Sequence, residues 1–412
     1  MLWFGSNWKW FILLLAILPG QVSEIVQGKD ANTAWGMIFM VGTIWAAFGP
    51  TIFGGWSDRA RRRKPFIAVG MCFTVVALLF LANANSLFLV AAGYLMLQVS
   101  DDVMQGAYAS LIPQIVPKDK QSKSSAVLSA ANLFAQIFSA VSVLAIGASS
   151  FFGLTPRQEV YYIIIAVNVI SALVVLYTIR QLPEPEPIDR PVEKSNFFRD
   201  LLAPWQSRDF RWVWGTRFLI MLGFFIIQPY MRNYLADLVG VADPKGNLHF
   251  TLFTLDIVGP DMAQAVILLS LSLAGAVGAL LSIKRMPKWG LKKTIWMCGF
   301  LLGPVLLALA FVRDFTVIWA LAMAFGFAHG TFLSADWALG AAVVPDPETL
   351  GKDMGIWSSA VVFSQMISGL AGGGIDFLNR QSHGAGYITV FIASAIFMGF
   401  GTQLVRQVRG AS

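Results

Sequence analysis

Charge is scarce in this 412-residue chain. Asp, Glu, Lys and Arg make up 13% of it, whereas hydrophobic residues make up 56%. A soluble domain carries about 25% charged residues, so the composition predicts an integral membrane protein. Cysteine is also scarce: the chain has only Cys72 and Cys298, and both lie inside apolar segments. This placement argues against a disulfide framework and against a zinc site.

Enzyme signatures are missing as well. The sequence has no Walker loop, no cluster of metal ligands and no nucleophile elbow, so we expect neither ATP-driven pumping nor enzyme activity, and no cofactor or metal. The formal net charge is +7, but the basic residues cluster between apolar runs. Membrane topology explains that pattern better than a nucleic-acid partner does. The first apolar run lacks a small-x-small cleavage site, which favours a retained transmembrane helix over a signal peptide.

Long apolar runs recur along the whole chain. A membrane-spanning helix needs about 20 mostly apolar residues, and about twelve runs meet that requirement. The predicted spans are residues 8–26, 32–55, 65–82, 86–116, 124–152, 160–178, 212–238, 262–283, 294–312, 315–344, 351–374 and 386–404. Basic residues, Lys9 among them, concentrate on one side of this layout. The asymmetry predicts a multi-pass cell-membrane protein with both termini in the cytoplasm.

A polar stretch at residues 181–211 separates the spans into two groups of six. It contains the run LPEPEPIDRP, which is typical of an extended linker. The predicted domains are therefore an N-terminal six-helix bundle at residues 1–180 and a C-terminal bundle at residues 212–412. Short matches such as Met71-Cys72 with Met297-Cys298 recur at separations of 225 to 229 residues, as a duplicated unit would leave. The predicted fold is all-α, with twelve transmembrane helices in two six-helix pseudo-repeats.

The loop after the second span is unusually basic. Residues 54–67 read GGWSDRARRRKPFI. Basic residues beside an apolar run mark the cytoplasmic side of a membrane, and the glycines allow close helix packing. Asp58, among the basic residues, is expected to pair with an arginine or with a helix N-terminus. A loop that only sets the topology is the alternative.

This loop resembles the one between helices two and three of the major facilitator superfamily, which runs Gly, a few residues, Asp-Arg, then Gly and basic residues. Its tail RRRKPFI is most similar to RRRPFI of the sucrose transporters and related glycoside–pentoside–hexuronide symporters. The chain lacks the family's glycine in this loop, and Lys64 is inserted before Pro65. The resemblance implies the major facilitator fold. It also implies a cytoplasmic gate, formed by Asp58, Arg59, Arg61, Arg62 and Arg63.

The fourth predicted span holds Gln98, Asp101, Asp102 and Gln105. Spacings of three and four residues place the two amides and one aspartate on a common helix face. Ionisable groups at this depth cost about 2.5–3.5 kcal/mol on insertion scales and are functional candidates. We expect one aspartate in a cavity and the other against a neighbouring helix, and a structural ion pair is the alternative. Gln105 and Gly106 also resemble the fourth-helix motif of the sucrose transporters, although its later basic and acidic positions are not kept.

The second half has its own intramembrane polar residues. Arg217 lies near the start of the seventh span, either as part of a gating ion pair or as an anchor that reaches the membrane surface. His329 and Asp336 are seven residues apart in the tenth span, and a His–Asp pair there fits a proton relay. The alternative is a structural histidine whose ring nitrogens find hydrogen-bond partners within the helix bundle. The resemblance implies that helices one, four, seven and ten line a central cavity. We expect three other acids to be solvated helix ends, namely Glu24, Asp256 and Asp376.

Together these features favour a secondary transporter that rocks two halves around a midplane site. The resemblance implies proton-coupled symport of a sugar or similar polyhydroxylated solute. The predicted coupling or substrate residues are Gln98, Asp101, Asp102, Gln105, Arg217, His329 and Asp336. The expected partners are a small-molecule substrate, protons and the lipid bilayer, and we expect a monomer. The alternatives are a proton-coupled exporter of amphipathic or cationic compounds, and a transport-dead membrane receptor or scaffold.

Overall fold

The structure is a computed structural model. It describes residues 2–27, 30–60, 62–109, 134–143, 155–181, 203–343 and 350–409. The chain divides into two compact units, Met1–Arg190 and Pro191–Ser412. Most of the predicted linker at residues 181–211 lies outside the described residues, so the three domain limits stay predictions.

The described part of the first unit is helical. In chain order its helices are α1 Leu2–Ile12, α2 Leu18–Val26, α3 Ala31–Ala46, α4 Gly49–Arg59, α5 Lys64–Ala82, α6 Leu87–Ala109, α7 Phe134–Val143 and α8 Pro156–Arg180. A π-helical turn at Leu13–Ile17 joins α1 to α2. This wider turn precedes Pro19, which has no N–H and whose ring would clash with a carbonyl one turn earlier.

The second predicted span is broken, which corrects the single helix expected at residues 32–55. The 16-residue α3 ends at Ala46, and the 11-residue α4 begins at Gly49. Pro50 explains the break because it has no N–H to donate to the carbonyl of Ala46, and its ring would clash with that carbonyl. Beyond the break α4 packs closely on α6: a Cβ atom added at Gly106 would lie 2.7 Å from the backbone nitrogen of Gly54. Only small residues permit such an approach.

The described part of the second unit is also mainly helical. Its helices are α9 Arg208–Phe225, α10 Met231–Tyr234, α11 Pro260–Trp289, α12 Leu291–Phe311, α13 Phe315–Val343, α14 Leu350–Gln381 and α15 Ala385–Leu404. The seventh predicted span is not one regular helix, because α9 gives way to short helical turns around Pro229 that continue to Val239.

Ten helices within the described residues are long and apolar enough to cross a membrane. Where the structure describes them, their limits agree with the predicted spans to within several residues; the predicted end of the fourth span lies outside the described residues. The span predicted at 32–55 is divided between α3 and α4. The span predicted at 124–152 lies mostly outside the described residues, which there include only α7.

A small antiparallel sheet follows the seventh span, and the sequence analysis missed it. Its strands are β1 Val241–Ala242, β2 Leu248–Leu252 and β3 Leu255–Val258, in the order β1-β2-β3. Phe250 pairs with Ile257, and both side chains are buried. The Phe250 ring lies 5.4 Å from that of Phe315 at the start of α13, so the sheet packs on that end of the helix.

Three polar side chains stabilise the sheet at its surface. His249 Nδ1 lies 2.7 Å from Asp256 Oδ2, and His249 Nε2 lies 3.3 Å from Asp243 Oδ2. These hydrogen bonds raise the pKa of His249 above its usual value near 6.5, and the bond to Asp256 has the largest effect. Several hydrogen bonds lower the pKa of Asp243 to about 2, and the bond from the Asn247 side chain has the largest effect.

These shifts predict an optimum pH for the sheet. Because the pKa of His249 is raised on folding, its contribution is complete below the unfolded pKa near 6.5 and is lost as pH rises through the higher folded pKa. Because the pKa of Asp243 is lowered, its contribution is complete above the unfolded pKa near 3.8 and is lost as pH falls through about 2. Residues 241–258 should therefore resist hydrogen exchange best between about pH 4 and 6.5.

Hydrogen exchange followed by mass spectrometry, corrected for intrinsic rates, measures this protection. The variant His249→Gln should lose the decline on the alkaline side and keep the decline in acid. Protection that is the same at pH 5 and pH 8.5 in the unmodified protein would contradict the prediction.

Candidate functional site

Asp101 is a heavily hydrogen-bonded carboxylate of the first unit. It is fully buried on α6. Its oxygens accept hydrogen bonds from Ser6 Oγ at 2.7 Å, Lys9 Nζ at 2.6 Å, Trp10 Nε1 at 2.5 Å and Gln105 Nε2 at 2.9 Å. The first three donors lie on α1. Asp101 therefore joins α6 to α1 through an ion pair with Lys9 and its surrounding hydrogen bonds.

Lys9 corrects the sequence analysis, which counted it among the cytoplasmic topology residues. Its side chain is buried and pairs with Asp101. The predicted span began at residue 8, which placed Lys9 at the membrane surface. The helix begins at Leu2 instead, so Lys9 lies two turns inside it.

Asp102, the next residue, has a different environment. Gln98 Nε2 donates to Asp102 Oδ1 at 3.1 Å. Asp102 Oδ2 is buried, and within the described residues it forms no hydrogen bond of good geometry; the indole of Trp45 is the donor nearby. The carboxyl group lies against the start of α4, where a Cβ atom added at Gly49 would come within 2.8 Å of Asp102 Cγ. The two amides expected on one helix face therefore donate to different acids: Gln98 donates to Asp102, and Gln105 donates to Asp101.

The main ion pair of the second unit joins α9 to α13. Arg217 donates through one terminal nitrogen to Asp336 Oδ2, and both side chains are buried. The guanidinium carbon lies 3.6 Å from the ring centre of Trp357 on α14 and 5.7 Å from that of Trp337, which is cation–π geometry. Of the two roles left open for Arg217, the structure therefore shows a buried ion pair and not a surface anchor.

This pair is incompletely satisfied. Among the residues that the structure describes, four buried polar atoms next to it or in its helices lack a hydrogen-bond partner: Thr216 Oγ1, Arg217 Nε, Asp336 Oδ1 and Trp357 Nε1. Each such atom costs about 1–3 kcal/mol when it is left unpaired, and native proteins contain few of them. These atoms leave hydrogen-bonding capacity unused, in contrast to the well-paired Asp101.

His329 does not form the expected relay with Asp336. Its ring stacks on that of Phe224 at 4.5 Å with an interplanar angle of 12°, and it also stacks on Phe325. Asp336 is bonded to Arg217, and within the described residues no hydrogen bond joins it to His329. His329 Nε2 is buried and likewise unpaired there. Both residues face α9, but they meet it about two turns apart, His329 at Phe224 and Asp336 at Arg217.

The predicted gate is described only in part. Outside the described residues lie the side chains of Asp58 and Arg59 and the whole of Arg61. Arg62 is exposed. Arg63 is buried and donates to Ser57 Oγ at 2.5 Å, so it connects the start of α5 to the end of α4. A gating role for this cluster stays a prediction.

The three acids predicted to be solvated differ from one another. Glu24 forms a surface ion pair with Arg157 at 2.6 Å, and Asp256 lies on the exposed edge of the sheet. Asp376 corrects the expectation because it is only 3% exposed. Sequence position near the end of an apolar run did not reveal that α14 continues to Gln381, which places Asp376 more than a turn inside the helix.

A small cavity with both polar and apolar lining adjoins Asp101 within the first unit. It is lined in part by Ser6, Thr74, Asn168 and Ser171. Hydroxyl and amide groups on several sides are the setting in which buried water is found in proteins. The cavity gives the buried ion pair a polar boundary toward α5 and α8.

Lys9 should matter far more to stability than a surface lysine or arginine. Lys9→Met leaves a buried carboxylate without its cation and should lower the free energy of unfolding by about 3–5 kcal/mol. Arg157→Met is the matched control, since it removes a cation from a pair whose side chains are 27% and 64% exposed. That change should cost about 0–1 kcal/mol.

Unfolding measured in the same detergent checks both values. The double variant Lys9→Met with Asp101→Leu should recover much of the loss, because it removes the orphaned charge. Equal effects of Lys9→Met and Arg157→Met would show that the buried pair does not stabilise the unit.

Comparisons with known proteins extend over most of the chain. The sequence profile described as Major Facilitator Superfamily matches residues 4–255. No curated protein gives a sequence match to the chain.

Several solved structures have a similar fold. The nucleoside transporter NupG, in a mutant form, has a TM-score of 0.74 and 15% identity, with 99% of this chain and 98% of that chain covered. A D-xylose-proton symporter has a TM-score of 0.70 and 12% identity, with 99% and 96% covered. A bacterial homologue of the human lysosomal transporter Spinster, in an inward-facing and unoccupied conformation, has a TM-score of 0.68 and 13% identity, with 98% of each chain covered. Identities this low show a shared fold and nothing finer.

Proposed function

Because this chain belongs to the major facilitator superfamily, we propose that it is a proton-coupled symporter of a sugar or similar polyhydroxylated solute. The predicted all-α membrane fold of this superfamily is confirmed, and the chain is a transporter rather than an enzyme. Secondary transporters of this architecture bind their cargo near the bilayer midplane and alternate its access between the two sides. We place the protein in the cell membrane with both termini in the cytoplasm, as the basic residues predict.

The observation that carries the proposal is the incompletely satisfied Arg217–Asp336 pair. A buried ion pair is stable only while both charges are present, since removal of one leaves the other uncompensated. A proton on Asp336 would neutralise the carboxylate and leave Arg217 as a buried cation without its partner. A substrate oxygen could then accept from Arg217. Proton binding and substrate binding would thus favour each other, as coupled transport requires.

The free hydrogen-bonding atoms match a polyhydroxylated solute. Arg217 Nε and Trp357 Nε1 are donors, Asp336 Oδ1 is an acceptor, and Thr216 Oγ1 can be either. A sugar hydroxyl both donates and accepts, so neighbouring hydroxyls can satisfy such a mixed set. The ring of Trp337 is half-exposed beside this group and offers a flat apolar surface. Arg217 would repel a cationic substrate, which counts against the exporter of cationic compounds.

The first unit contributes two acids with different proposed roles. Asp101 has a full set of donors and a cation, so we assign it the structural ion pair that the sequence left open. Asp102 has an incompletely bonded oxygen beside the start of α4, and we propose it as a second coupling group. Gln98 and Gln105 then position the two carboxylates.

Two proteins of similar fold are named for comparable transport. One is a D-xylose-proton symporter and another is a nucleoside transporter. Their identities of 12% and 15% limit this likeness to the fold. The names support the choice of sugars as the first substrates to test.

Asp336 should be essential for coupling. In proteoliposomes of the unmodified protein, an inward sugar gradient should make the outside medium alkaline as protons follow the sugar. Asp336→Asn cannot exchange a proton and should reduce this signal to that of empty liposomes, while sugar binding to the detergent-solubilised protein persists. A pH-sensitive dye outside the vesicles measures the proton flux, and calorimetry measures binding.

Asp261→Asn is the matched control, because Asp261 is a partly exposed acid that pairs with Arg232 at 2.5 Å. It should keep the proton signal. No response of the unmodified protein to any sugar, together with proton-driven movement of a cationic dye, would replace the symporter with an exporter.

A further inference from the structure

The turn between β2 and β3 is an apolar projection from the sheet. We call residues Leu252–Leu255 the hairpin tip; it contains Phe253 and Thr254 between the paired residues Leu252 and Leu255. Phe253 is 65% exposed and Leu255 is 64% exposed. None of the four residues is charged. An exposed turn of a soluble protein would normally be polar.

The backbone conformation at Phe253 is unusual for a phenylalanine. Phe253 has φ +55°, in the left-handed region. Two-residue hairpin turns place Gly, Asn or Asp at such positions, and a bulky residue there is strained. A strained residue at an exposed site points to a role for its side chain. The sheet itself does not require that side chain, since glycine would fit the turn better.

The hairpin tip is fixed against the first turns of a membrane helix. The Phe253 N–H donates to Thr316 Oγ1 at 3.0 Å, and its ring meets the ring of Trp319 edge-on at 5.5 Å. Trp319 in turn donates to Ser270 Oγ on α11 at 2.7 Å. Because the candidate membrane span of α13 begins at Phe315, the hairpin tip lies beside the start of that span. Tryptophan is typical of this level of a bilayer.

The opposite end of the sheet is polar. The β1–β2 turn contains Asp243, Lys245 and Asn247, with Lys245 exposed. That turn is about 20 Å from the hairpin tip along β2, from the rise of about 3.3 Å per residue. The β1–β2 turn thus suits water, and the hairpin tip suits an apolar medium. The exposed side chain of Val317 on the first turn of α13 extends the apolar surface from the hairpin tip onto the membrane helix.

We propose that the hairpin tip is a lipid-binding anchor, with Phe253 and Leu255 inserted into the bilayer interface beside the first turns of α13. The ligand class is the boundary between lipid headgroups and acyl chains, where aromatic and aliphatic side chains are favoured. The anchor holds the end of α13 that carries the sheet at a fixed depth. This inference is independent of the transported substrate.

Site-directed spin labelling in proteoliposomes tests the depth. The full chain is freed of its two native thiols by Cys72→Ser and Cys298→Ala, and a nitroxide is attached at Thr254→Cys or, as the matched control, at Lys245→Cys. Collisions with oxygen report lipid, and collisions with a water-soluble nickel chelate report water. We expect the ratio of oxygen to nickel accessibility to be several-fold higher at position 254 than at position 245.

A second pair of substitutions tests the side chains. Phe253→Gly with Leu255→Ser removes the apolar groups and relieves the strained φ, so the sheet should stay folded. The label at position 254 should then shift to the aqueous ratio seen at position 245. Three results would overturn the inference: an aqueous ratio at position 254 in the unsubstituted hairpin tip, no shift in the double variant, or exclusion of both reagents. The last result would mean that protein, such as a second copy of the chain, covers the hairpin tip.

Discussion

The structure depends on one constraint, namely that charges inside a bilayer must be satisfied by the protein itself. Each unit meets it in the same way. Lys9 of the first span pairs with Asp101 of the fourth, and Arg217 of the seventh pairs with Asp336 of the tenth. Within its own unit, each pair therefore joins the first helix to the fourth. Removal of either member would leave a buried charge, so the helices of each pair are coupled more strongly than apolar packing alone would couple them.

The two pairs differ in how completely their hydrogen bonds are made, and this difference bears on function. Asp101 accepts from the hydroxyl of Ser6, the indole of Trp10 and the amide of Gln105 as well as from Lys9. Asp336 has Arg217, and its second oxygen is unpaired within the described residues. A saturated carboxylate resists protonation and holds its helices in place. An unsaturated one can exchange its partner, which suits a group that binds protons or substrate.

Much of the fold could be predicted from sequence because the length of an apolar run and the charge of a loop can be read directly from the order of the residues. The intramembrane acids were also identified, since any charge within such a run is conspicuous. Their partners were not, because pairing depends on which helix faces meet. An error of several residues in a helix start places Lys9 at the surface. The spacing of His329 and Asp336 suggests a pair, but Asp336 bonds to Arg217 instead. The sheet was missed because its longest strand, Leu248–Leu252, is only five residues long, too short for alternation to be decisive.

The two ion pairs do not occupy equivalent positions along the helices that carry them. Asp101 lies 14 residues after the first residue of α6, whereas Asp336 lies 21 residues after the first residue of α13. The difference of seven residues is two helical turns, or about 10 Å along the axis. Position 329, which corresponds to Asp101 by that measure, holds His329 stacked on Phe224. Each unit therefore places its buried acid at a different distance from the start of its helix, and the two acids need not have the same function.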